Sequence, residues 1–166
     1  MKHELSRHAP PGYELKPELD FFAWGLVLCA LCSLAFCFRL DDAIRALYRW
    51  DGVNRTLYPG VSMPDYRTLL GGWPFLFVLH AAAMLSFSVL HYASHYRGSR
   101  SIYLMRRLPK RWELHRRCLT LPLFFAAMSL LALLLLIHLY LAVYLIATPD
   151  VCLTPGQWQK IWSVIP

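Results

Sequence analysis

Ser94 to Leu121, SHYRGSRSIYLMRRLPKRWELHRRCLTL, sets eight Lys/Arg (Arg97, Arg100, Arg106, Arg107, Lys110, Arg111, Arg116 and Arg117) against one acid, Glu113. The rest of the 166-residue chain carries nine Lys/Arg and nine Asp/Glu, so this stretch supplies the whole formal net charge of +7. Long apolar runs with no Asp, Glu, Lys or Arg flank it on both sides. A short loop this basic between two membrane spans is retained on the cytoplasmic side. Its placement orients every other segment.

The composition agrees. The chain is 57% hydrophobic and 16% charged, whereas soluble domains carry about a quarter charged residues. The first 20 residues are polar and lack an apolar run followed by a small-residue cleavage site, so the first apolar run reads as an uncleaved signal anchor. Three of the five cysteines, Cys29, Cys32 and Cys37, fall inside that run, and no disulfide framework is indicated.

The expected fold is an all-α integral membrane protein of three transmembrane helices with short interfacial helices. Counting outward from the basic loop puts the amino terminus inside and the carboxyl terminus outside, in the plasma membrane. Residues 1–20 form a cytoplasmic segment whose prolines allow at most a short helix around Tyr13–Asp20. Residues 21–40 form the first span, built on the 18 uncharged residues Phe21–Phe38, near the lower limit for crossing about 30 Å of hydrocarbon. Residues 41–68 are an external loop. Within it Asp41–Trp50 has Ile44, Leu47 and Tyr48 at helical spacing, which predicts an amphipathic helix at the membrane surface. Tyr58-Pro59-Gly60 and Met63-Pro64-Asp65 are turn signals.

Residues 69–93 form the second span, with Pro74 in its first turn. Residues 94–118 are the basic loop. Residues 119–147 form the third span, 29 residues without a charge, which Pro149 ends. Residues 148–166 are an external amphipathic tail, with Trp158, Ile161 and Trp162 at helical spacing and Gln157, Gln159 and Lys160 between them.

The basic loop has a physical design beyond its charge. Tyr92–Arg97 continues the second span out of the membrane, and Gly98-Ser99 breaks the helix. Ser101 can cap a new helix of about two turns, with Leu104, Met105 and Leu108 on one face and Arg106 and Arg107 elsewhere. Leu108-Pro109 ends it, since the residue before proline avoids the helical region. From Lys110 a further helix runs without a break into the third span.

This element resembles the cytoplasmic loop between the second and third spans of type-2 ABC transporter permeases. Arg97-Gly98-Ser99 matches the approach and Tyr103-Leu104-Met105-Arg106-Arg107-Leu108-Pro109 the coupling helix. Lys110-Arg111-Trp112-Glu113-Leu114 matches the re-entry. The resemblance implies that Ser101–Arg111 docks on an ATP-binding cassette subunit and passes its closure to the spans. Ser101, Tyr103, Leu104, Met105, Arg106, Arg107, Leu108, Pro109 and Arg111 would be the partner-binding residues. Arg97, Arg100, Lys110, Arg116 and Arg117 would face lipid. The match covers about 25 residues. The family has an acid before or within the coupling helix where this chain has Arg97, Arg100 and Ser101. The family also has six spans, so three imply a half-permease or an accessory chain completed by another membrane subunit or a second copy.

The competing reading is a non-transporting adaptor or regulator whose loop binds anionic lipid or a cytosolic partner, each Lys/Arg contributing about 1 kcal/mol at such a surface. No enzyme activity, nucleic-acid partner or cofactor is expected, and ATP would enter only through a partner subunit. There is no phosphate-binding Gly-rich loop and no catalytic constellation. His91 and His95 with Cys29 and Cys32 make a two-Cys, two-His set on paper, but the pairs lie at different depths on different helices, and no metal site is assigned. The apolar runs contain no Asp or Glu, which argues against a carboxylate proton relay. Ala81-Ala82-Ala83 with Ser86, and Ala126-Ala127 with Ser129, offer small surfaces for close helix approach.

Overall fold

A computed structural model describes residues 15–52, 54–58, 60–97 and 111–162. The helices are α1 (Lys16–Ser33), α2 (Ala35–Ala46), α3 (Tyr66–Leu70), α4 (Trp73–Arg97), α5 (Arg111–Ala147) and α6 (Gln157–Trp162), with a 3-10 turn at Asp150–Cys152. Two strands, β1 (Tyr48–Asp51) and β2 (Asn54–Leu57), pair antiparallel. Three helical segments are long and apolar enough to cross a membrane: Lys16–Ala46, Trp73–Ala93 and Cys118–Ala147.

The first segment begins five residues before the apolar run. Pro17 does not prevent this, because it lies in the first turn of α1, where backbone amides have no helical acceptor. At Leu34 the helix tightens, with Leu34 N–H donating to Leu31 and Cys37 N–H to Leu34. Ser33 Oγ donates back to the Ala30 carbonyl at 2.6 Å, a contact that bends helices. The amphipathic helix expected over Asp41–Trp50 does not form as such. Asp41–Ala46 is the last part of α2, closed by an Asp41–Arg45 ion pair of 2.7 Å. Tyr48–Asp51 is strand, since Gly52 takes φ +76° and turns the chain so that Tyr48 pairs with Leu57 and Asp51 with Asn54. A left-handed residue after Asp51 favours the hairpin over a further helical turn.

The chain divides into two compact units, Met1–Cys29 with Leu76–Ala132, and Ala30–Phe75 with Leu133–Pro166. In the first, Ala81 and Met84 of α4 pack with Leu121, Phe125 and Ala126 of α5, and Leu15, Leu19, Phe22 and Phe87 close round them. The spacing of Leu15, Leu19 and Phe22 is that of one helical face. Phe22 stacks on Phe125 with centroids 4.6 Å apart. His80 lies buried against Phe21 and Phe22. A Cβ on Gly25 would clash with Cε1 and Nδ1 of the His80 ring, so glycine there is what admits the imidazole.

The second unit is built on aromatic rings. Phe36 stacks on Tyr140 at 4.7 Å and meets Tyr66 edge-on at 5.6 Å. Tyr66 is fully buried, and its hydroxyl donates to the Ile137 carbonyl at 2.6 Å. The tail folds onto this core. Thr154, Gln157 and Lys160 all donate to one oxygen of Asp65, Lys160 at 2.6 Å. Gln157 Oε1 accepts the Tyr66 amide at 3.0 Å. Gln157, expected on a polar face, is therefore buried and holds α6 in place.

The Lys160, Thr154 and Gln157 hydrogen bonds hold the Asp65 carboxyl below its ordinary 3.8. The tail's docking from this source is fully present above that value and is lost as pH falls through the lower folded one. The Gln157 side-chain amide resonance should therefore stay in place from neutral pH down to 3.8. It should move only in more acid solution.

Candidate functional site at the roots of the basic loop

The helices on either side of the basic loop extend well beyond their apolar parts. The second-span helix, α4, runs to Arg97, and α5 begins at Arg111 and is 37 residues long. Arg97 thus ends one root, and Arg111, Arg116 and Arg117 belong to the other, with Arg116 exposed. Arg100, Ser101, Tyr103, Leu104, Met105, Arg106, Arg107, Leu108, Pro109 and Lys110, and the short helix expected there, lie outside the described residues.

The two roots are tied together where they leave the apolar core. Tyr92 OH and His115 Nδ1 lie 2.6 Å apart, joining α4 to α5 at an exposed position. One residue before Tyr92, His91 is fully buried. Its Nδ1 donates to the Cys118 carbonyl at 3.1 Å. That carbonyl is available for a reason written in the sequence. An α-helical carbonyl accepts from the amide four residues on, and four residues after Cys118 stands Pro122, inside α5, with no amide hydrogen to give. His91 supplies the missing donor.

The other nitrogen of His91, Nε2, lies 2.9 Å from Glu18 Oε2, and both side chains are fully excluded from solvent. Glu18 stands in the first turn of α1, where a carboxylate also suits the helix dipole. Its second oxygen, Oε1, has no hydrogen-bond partner among the described residues. Ser88, one turn before His91 on α4, is buried too, and its hydroxyl is likewise without a partner. A polar cluster therefore joins α1, α4 and α5 at the level where the loop departs. It can hold a proton and fix three helices together.

Sequence reasoning did not find Glu18. The apolar run 21–38 lacks acids, but the helix that contains it does not, and the argument against a buried carboxylate fails at its first turn. Its partner, His91, was noted only for its spacing from His95. It faces Glu18 and the Cys118 carbonyl instead of Cys29 or Cys32, and no metal-binding group of three or more His, Cys, Asp or Glu is assembled among the described residues. The signal that could have exposed the site is Pro122, since a proline within a long apolar helix leaves a carbonyl that needs a donor. Of the other polar residues noted in the spans, Ser86 and Ser129 bond backward to their own helices. His138 Nδ1 donates to the Leu134 carbonyl at 2.7 Å.

No family model, curated protein or solved structure matches the chain.

Proposed function

We propose that the chain is a membrane subunit of an ABC-type transport complex, set in the plasma membrane with its basic loop in the cytoplasm and Ser101–Arg111 docked on an ATP-binding subunit. Another membrane subunit or a second copy completes the set of spans. The observation that supports this reading is the pair of ties at the loop's base, Tyr92 to His115 and His91 to the Cys118 carbonyl. A loop that transmits a push needs roots that do not part under load. A loop that only adheres to lipid needs charge alone, and neither the Gly98-Ser99 break nor the Leu108-Pro109 stop adds to that.

Affinity purification of the tagged chain in mild detergent tests it. A stoichiometric ATP-binding protein is expected to stay bound, and Leu104→Asp to reduce its recovery at least about tenfold, as loss of a central apolar contact does, at unchanged membrane insertion. Pro109→Ala should uncouple without abolishing capture. The adaptor reading gives the opposite pattern, a graded loss with each Arg neutralised, of about fivefold each on anionic vesicles, and indifference to Leu104→Asp.

A further inference from the structure

The hydrogen-bond pattern around His91 fixes how many hydrogens the buried pair can hold. Nδ1 faces a backbone carbonyl, which only accepts, so Nδ1 carries a hydrogen. If neither Nε2 nor Glu18 Oε2 carried one, two lone pairs would face each other at 2.9 Å. If both did, two hydrogens would compete for one line. One hydrogen therefore lies between α1 and α4.

The line to Nε2 is the one side-chain hydrogen bond of Glu18 among the described residues. Oε1 has no partner among the described residues, and the side chain is wholly buried. A buried ion pair stabilises little unless its remaining lone pairs are satisfied.

We infer that Glu18 and His91 form a latch, closed by a single hydrogen on the Nε2–Oε2 line, that ties the start of α1 to both roots of the basic loop. Glu18 and His91 are positioning residues in this arrangement. A displacement of the roots must either carry the first turn of α1 with it or break the Nε2–Oε2 line. The N-terminal segment is thereby made a reporter of the loop. What the latch transmits rests on the transport-subunit reading, whereas its existence does not.

Hydrogen exchange on the full chain in lipid nanodiscs tests the latch by itself. Glu18→Gln keeps one hydrogen on the line, because its amide can donate to Nε2, and amides 19–22 should exchange within about threefold of the parent. Glu18→Leu removes that hydrogen, and the same amides should exchange at least about tenfold faster, as expected when a local tie is lost. Unchanged exchange in Glu18→Leu would overturn the latch. Glu18→Gln as fast as Glu18→Leu would show that one hydrogen on the line is not enough to close it, and would overturn the single-hydrogen claim.

A second measurement stands if Glu18→Leu does not fold. In Glu18→Leu/His91→Leu both polar groups are replaced by apolar ones, a change buried pairs tolerate. In complex with the captured ATP-binding protein, this variant should keep the partner but lose the added protection that docking gives to amides 19–22. Retention of that protection would overturn the latch. Failure to capture any ATP-binding protein would sink the transport-subunit reading and leave the nanodisc result to decide the latch.

Discussion

His91→Leu is expected to destabilise the protein by about 1–3 kcal/mol for each of the two buried polar groups it strands. The substitution leaves Glu18 with neither carboxyl oxygen bonded among the described residues, at a position with no solvent contact. It also leaves the Cys118 carbonyl without the donor that replaces the one Pro122 lacks. Glu18→Leu is milder, because the imidazole left behind keeps its bond to the Cys118 carbonyl. Replacing both residues by leucine should recover the share of the loss that comes from the stranded Glu18, leaving only that of the Cys118 carbonyl. Unfolding in mixed micelles of increasing sodium dodecyl sulfate, followed by helical circular dichroism, gives the order directly. Equal losses for the two single variants with no recovery in the double would show that the pair is not a closed unit.

Tyr66→Ala carries the second large effect, about 3–5 kcal/mol, as expected for emptying a buried aromatic site. Tyr66 is the centre of its unit, with Phe36 and Tyr144 each 5.6 Å away and its backbone amide bonded to Gln157. Burial pushes its phenol up from the ordinary 10.0, so the hydroxyl stays a donor to the Ile137 carbonyl throughout the accessible pH range. Tyr66→Phe keeps the ring and removes only that bond, so it should cost about 1 kcal/mol. The same detergent titration separates the two. In Tyr66→Ala the tail should also come away, seen as proteolytic cleavage between Leu153 and Trp162.

Three apolar segments were legible in the sequence because length and lack of charge are local properties, and the helices Trp73–Arg97 and Arg111–Ala147 follow from them directly. The helical run from Arg111 into the third span was legible because no glycine or proline interrupts 111–120. Less legible was the start of α1. Glu18 and Asp20 look like the edge of a soluble segment until a partner is known, and the partner of Glu18 lies 73 residues away. The hairpin at Gly52 was hidden by an accident of spacing, since Ile44, Leu47 and Tyr48 fit a helical face although only Ile44 is helical. Gln157 was misread because a glutamine among tryptophans suggests a polar face. Its burial depends on Asp65 and Tyr66, which no local pattern connects to it.

The acceptor that His91 uses belongs to the backbone, and this divides the site into positions that can vary and positions that cannot. Any residue at 118 presents the same carbonyl, so the cysteine there is interchangeable with another small side chain that fits its buried place. The information sits four residues later. A proline at 122 and a donor at 91 form one unit of inheritance, since an amide restored at 122 would close the helix on itself and deprive the imidazole of its partner. In related chains the two positions should change together, while 118 drifts among small residues.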